Sequence, residues 1–279
     1  ALISNNQLEE AKVIADSIIK QTPDDPFAML LSSWILSKNE QGELANNILD
    51  DLSSKLTLVN DSTFEKQDSL LFVKGMTEYV QGNFEQARVT LGKYVNKNRQ
   101  DINATAMLTE IYISMGQNDS AMHILERIED KLSDQLELAL KLADLYLKNG
   151  KDFKADYWLS KLRGLYPDNI KVILMSSKAL IARGKMDDAI KLIEDSSNKN
   201  SQNPSLLMAR GFLYIQNGNF EKALQAAKTL TKADSRNVDY WNLQSAALLR
   251  LGRYEEAQIA IDNVMAISPT HFAGRFNQA

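Results

Sequence analysis

Residues 82–87 read GNFEQA, residues 218–223 read GNFEKA and residues 252–257 read GRYEEA. These stretches belong to a longer series. Gly82, Gly116, Gly150, Gly184, Gly218 and Gly252 stand 34 residues apart. Five residues after each comes an alanine: Ala87, Ala121, Ala155, Ala189, Ala223 and Ala257. Half of the chain's 12 glycines fall on this one series, so the chain is read first as an internal repeat.

Each repeat holds two apolar stretches at helical spacing. Over 136–169 the first runs Leu138, Leu142, Leu145, Tyr146 and the second Ala155, Trp158, Leu159, Leu162. Both follow the i, i+3, i+4, i+7 rule of a helix with one buried face. The glycine between them predicts a left-handed residue that ends one helix and reverses the chain. The alanine, on the first turns of the second helix, lets two helix axes approach. Phe84 supplies packing at the corner. Pro167 and Pro269 stand 17 residues after their glycines, where the second helix should stop. Pro204 opens a first helix, where its missing N–H costs nothing. A single helical hairpin cannot bury its apolar faces, and stacked copies can. The expected fold class is all-α: an α-solenoid, a right-handed superhelix of stacked antiparallel helix hairpins.

Composition agrees. The 279 residues are 44% hydrophobic and 24% charged, normal for a globular chain able to bury a large core. With 12 glycines and 5 prolines there are few breakers, and no alternating strand pattern recurs. A net charge of −4 argues against a nucleic-acid partner, which needs a basic stripe. The densest basic patch, Lys93, Lys97 and Arg99, reads as a solvated helix end. The absence of cysteine rules out disulfides and thiolate metal sites but leaves the compartment open. No apolar run approaches the about 20 residues that span a bilayer, so no membrane insertion is expected in this segment. The chain begins with Ala1, which reads as a cut point in a longer protein.

The 34-residue period, the glycine and alanine series, Trp241 early in a first helix, Gly75 and Gly211 within first helices, Tyr112, Tyr146 and Tyr214 late in them, and the closing prolines resemble the tetratricopeptide repeat family. The likeness covers 68–271 as six regular repeats, within one solenoid spanning 1–279. Residues 1–67 form irregular N-terminal repeats. Asn6, Leu8, Ala11, Ile18 and Pro23 fit a second helix with its closing proline. Residues 26–60 fit a hairpin turning near Gly42, with about six residues inserted near Asn60, Asp61 and Ser62. Residues 272–279 fit the start of a truncated next helix. More narrowly, GMTEYVQGNFEQARVTLGKYV and LADLYLKNGKDFKADYWLSKLRGLYPDN resemble the long tetratricopeptide lipoproteins of bacterial exosortase and exopolysaccharide (PEP-CTERM) systems. That likeness implies a periplasmic or cell-envelope location, with the cytoplasm as the other reading.

Catalytic and metal constellations do not emerge. His123 and His271 stand far apart, each reading as a packed or surface histidine, and no metal site is expected. There is no GxxxxGK[ST] loop, no GxGxxG turn and no GxSxG elbow, so no cofactor is expected. The carboxylates Glu126, Glu129, Asp130, Glu137, Asp144, Asp187 and Asp188 read as solubilising charge. Trp34, Trp158 and Trp241 read as core.

Surface shape remains. The family resemblance implies that the first helices line a concave groove. Six residues before each corner glycine stand Met76, Glu110, Asp144, Lys178, Phe212 and Ala246; two before stand Val80, Ser114, Lys148, Ala182, Gln216 and Arg250. Phe72, Met76 and Tyr79 make the early groove apolar, and charge follows. The expected partner-binding residues are Phe72, Met76, Tyr79, Glu110, Asp144, Lys148, Lys178, Phe212, Gln216 and Arg250. Family members that grip acidic chaperone tails use a lysine-and-asparagine clamp; here Phe72, Met76, Ala106 and Glu110 occupy that surface, so that activity is not carried over. The expected function is a non-enzymatic scaffold for a protein or peptide partner. Two other readings are a substrate-presenting arm of a larger enzyme, such as a glycosyltransferase, and a spacer that self-associates end to end.

Overall fold

The computed structural model describes residues 8–200 and 202–268, and these are helical throughout, with no strand among them. The expectations for Asn6, Pro269, His271 and 272–279 fall outside the described residues, as do those for the side chains of Leu8 and Ala11. The chain divides into two compact units at Leu132/Ser133. The first holds α1 (Leu8–Gln21), α2 (Pro26–Lys38), α3 (Gly42–Thr57), α4 (Asp61–Lys66), α5 (Asp68–Val80), α6 (Phe84–Lys97), α7 (Ile102–Ser114) and α8 (Asn118–Glu126). A 3-10 turn over Glu129–Asp134 follows. The second holds α9 (Leu136–Lys148), α10 (Asp152–Leu165), α11 (Ile170–Ala182), α12 (Met186–Lys199), α13 (Pro204–Gln216), α14 (Phe220–Ala233), α15 (Val238–Arg250) and α16 (Tyr254–Ile267). Within each unit helices pack on their sequence neighbours, as in α5 on α6 and α13 on α14, and on the helix two further along, as in α13 on α15. This is the stacked-hairpin solenoid that the period predicts.

All six corner glycines are left-handed, with φ between 64° and 79°. The geometry at each corner is a Schellman closure. The amide after the glycine donates back five residues: Asn83 to the Glu78 carbonyl at 2.8 Å, Lys151 to Tyr146 at 2.8 Å, Arg253 to Leu248 at 3.0 Å. These bonds close the first helix, so the second starts without a side-chain cap. Five first helices, all but α5 and α9, behave differently. Asp25, Asp101, Asn169, Asn203 and Asn237 each accept a backbone N–H of the first turn. Asp101 also accepts the Tyr94 hydroxyl at 2.9 Å, and burial together with that carboxylate pushes the phenol up to about 12. The six alanines of the series are fully buried, as close helix contact demands.

The N-terminal turn differs from expectation. Gly42 is the first residue of α3, and the left-handed position is held by Glu40, with φ 60°. The Gln41 amide donates to the Leu36 carbonyl at 3.0 Å, which makes Glu40 the counterpart of the corner glycines. The inserted residues form a helix, α4, whose Phe64 is buried beside Leu52, Leu56 and Leu71. A side chain in left-handed backbone costs about 1–2 kcal/mol. Glu40→Gly is therefore expected to stabilise the chain by about 0.5–1 kcal/mol after the added chain entropy of glycine. Urea denaturation checks this; an unchanged or lower midpoint would refute it.

Candidate partner-binding site

The first unit contains an apolar groove of about 330 Å³ on the faces of α2, α5 and α7, with α1 at its edge. Helix α2 contributes Phe27, Leu30, Leu31 and Trp34, α5 contributes Phe72, Met76 and Val80, and Ile18 and Met107 complete it. Of the residues from Pro26 to Ile35 in α2 all but Ser32 and Ser33 are apolar, more than its packing on α1 and α3 consumes. Phe27 and Val80 stay more than two-fifths exposed at the groove. Lys38 holds its ammonium 5.6 Å above the Trp34 ring, so the stem and ring cover one another.

Of the expected residues, Phe72 and Met76 line this groove. Tyr79 turns to the corner, where its ring lies 5.9 Å from Phe84 and packs against the cluster around Ala87 and Leu91. Glu110 is half-buried on α7. The groove residues that the periodicity missed are Met107 on α7 and, from the irregular segment, Ile18, Phe27, Leu30, Leu31 and Trp34. The signal available for the four on α2 was the apolar excess of PFAMLLSSWIL itself.

In the second unit the charged positions meet each other. Asp144 on α9 accepts from Lys178 on α11 at 2.6 Å and from Lys148 one turn along at 2.8 Å. Glu137 and Lys171 repeat the inter-helix pairing at 2.6 Å. Both cross-helix pairs join residues 34 apart, so the repeat period itself places an acid beside a base on successive first helices. Burial works against the Asp144 carboxylate, but its bonds to Lys148 and Lys178 and their charges outweigh it and hold the carboxyl below the usual range. Reversing the charge at Asp144 therefore breaks this network as well as altering the surface. Phe212, Gln216 and Arg250 are exposed on α13 and α15.

Elsewhere, His123 is a surface residue with Nδ1 3.1 Å from Glu126. Among the described residues no group of three or more histidines and carboxylates could hold a metal ion. No helix among them is long and apolar enough to cross a membrane.

Family models described as tetratricopeptide repeat match residues 79–135, 180–247 and 238–271, together more than half of the chain. A solved tetratricopeptide repeat protein from Parabacteroides merdae is 13% identical with a TM-score of 0.67, over 90% of this chain and 96% of that one. Pseudomonas aeruginosa PilF is 16% identical with a TM-score of 0.55, over 77% and 97%. A chain of the APC/C Cut9–Hcn1 hetero-tetramer is 13% identical with a TM-score of 0.54, over 99% of this chain and 53% of that one. These likenesses are of fold. No curated protein matches the chain. Helix pairs, left-handed corners at a fixed period and the matched repeats lead to one assignment: the chain belongs to the tetratricopeptide repeat family, whose members are in general non-catalytic scaffolds for other proteins.

Proposed function

We propose that this scaffold holds an apolar-anchored segment of a partner protein in the groove of its first unit, and that it performs no catalysis itself. The observation that carries the reading is the wall of Phe27, Trp34, Phe72, Met76 and Val80 around about 330 Å³ of open space. A small-molecule site would add a few placed polar groups to fix orientation, whereas the groove walls here are almost wholly apolar. Such a groove suits the apolar face of a helix, read through two or three anchors one turn apart. The style of the repeats favours work in the bacterial cell envelope, in exopolysaccharide assembly.

The test is peptide selection from a random display library against the full chain, followed by titration. Selected peptides should share apolar anchors at helical spacing and change the emission of Trp34. Met76→Glu should weaken them by about tenfold or more, the usual effect of losing a central anchor, while helicity is retained. Peptides without such anchors, or equal binding to the variant, would refute the groove.

A further inference from the structure

The corner series reveals a departure on the other face of the second unit. Just after the first residue of the second helix, five repeats carry an acid: Glu85, Asp119, Asp187, Glu221 and Glu255. A carboxylate there complements the positive end of the helix. The remaining repeat carries Phe153, which is 83% exposed. One turn along α10, Tyr157 is 62% exposed. Two small residues, Ser160 and Gly164, continue the same stripe at i+7 and i+11. The stripe lies opposite the buried Ala155, Trp158, Leu159 and Leu162. Glycine inside a helix weakens it. Gly75 and Gly211 have a reason within the chain, since an added Cβ would stand 2.7 Å from Leu91 Cγ and 2.5 Å from Leu243 Cδ2. Gly164 has none: nothing lies within 4 Å of its Cβ position.

We propose that this face of α10 docks against the same face of a second copy of the chain, with the two α10 helices antiparallel. The stripe is complementary to itself in that direction only. Phe153 then meets Gly164 of the second copy, in the gap left by the glycine, and Tyr157 meets Ser160, whose hydroxyl accepts from Arg163 of its own chain at 3.0 Å. A parallel pairing would set ring against ring and leave the gaps facing each other. Charge agrees on one flank. Asp152 and Asp156 lie on the same side of the stripe as Arg163, and reversal of direction brings the second copy's Arg163 alongside them. Within one copy Asp156 holds Arg183 at 2.6 Å, and Arg183 in turn lies 5.5 Å from the Phe153 ring. On the other flank Lys154 and Lys161 are drawn back onto their own chain, with ammonium groups 5.2 Å from the Tyr146 ring and 4.8 Å from the Trp158 ring.

One helix pair covers less than the roughly 1,200 Å² of a standard stable interface, so the dimer is weak, with a Kd on the order of 10–1,000 µM. The contact uses second helices and is independent of the groove.

Sedimentation equilibrium across about 1 µM to 1 mM brackets this range. Wild-type protein should pass from monomer to dimer. Phe153→Glu restores the acid found in the five other repeats and should raise the Kd at least about tenfold. Gly164→Leu fills the gap and should do the same while strengthening the helix. The chain has no cysteine, so Ser160→Cys with a short bismaleimide reports the register. It should give a covalent dimer, and Lys228→Cys, at the same place in α14, should not. A wild-type chain that stays monomeric throughout, or variants that dimerise as it does, overturns the proposal. Loss of dimer in the variants with no cross-link at position 160 overturns the antiparallel register.

Discussion

Trp158→Ala is expected to remove about 3–5 kcal/mol of stability, the range for truncating a large core aromatic. The indole is 1% exposed and sits in α10 between the buried Ala155, Leu159 and Leu162. Little can collapse into its place, because α9, which packs on α10, has Ala139, Ala143 and Tyr146 fully buried as well. In a repeat array such a loss weakens one stack of helices more than the rest, and the all-or-none approximation fails first there. Urea denaturation followed by circular dichroism should show a lower midpoint and a shallower or split transition. A loss below about 1 kcal/mol would mean that the site relaxes far more than a close-packed interior allows. Trp34, by contrast, lines an open groove, so its emission should respond to ligand while that of Trp158 does not.

The second large effect separates two glycines that look alike in the sequence. Gly75 lies in α5, where an added Cβ would stand 2.7 Å from Leu91 Cγ and 3.1 Å from the Leu91 backbone nitrogen. The side chain can turn and the backbone cannot, so Gly75→Ala should cost about 1–3 kcal/mol, as overpacking does. Gly92 lies in α6 with nothing within 4 Å of its Cβ position. Gly92→Ala should stabilise by about 0.4–1 kcal/mol through the unfolded chain. Thermal melts of the two variants should therefore move in opposite directions. The same sign for both would show that the approach of α5 to α6 does not limit what fits at position 75.

The corners were legible because their backbone admits few residues. A left-handed position between two amphipathic stretches selects glycine, and the 34-residue spacing of Gly82 to Gly252 does the rest. Glu40 was not legible. Nothing about a glutamate announces φ above zero, so the nearest glycine, Gly42, drew the turn to itself. The insertion was located near Asn60 to Ser62, but its helical state depends on Phe64 finding the pocket beside Leu52 and Leu71, a tertiary contact. The surface was read through columns of the regular repeats. That brought out Phe72 and Met76 and passed over Phe27 and Trp34, which belong to no column. The pairing of Asp144 with Lys178 was written in their spacing, one period apart with opposite charge. Two positions of one column thus serve one another.

Contacts that run only between near neighbours in the sequence also set how each unit answers a pull along its chain. Among the described residues no helix packs on one far along the chain, so tension peels the stack hairpin by hairpin. Each step frees one period of 34 residues, with a contour on the order of 110–120 Å. The helices behind it keep their own corners and caps, so they offer a ready template when the load falls. Stretched between two attachment points, such an array lengthens in regular increments and shortens again without passing through a fully unfolded chain.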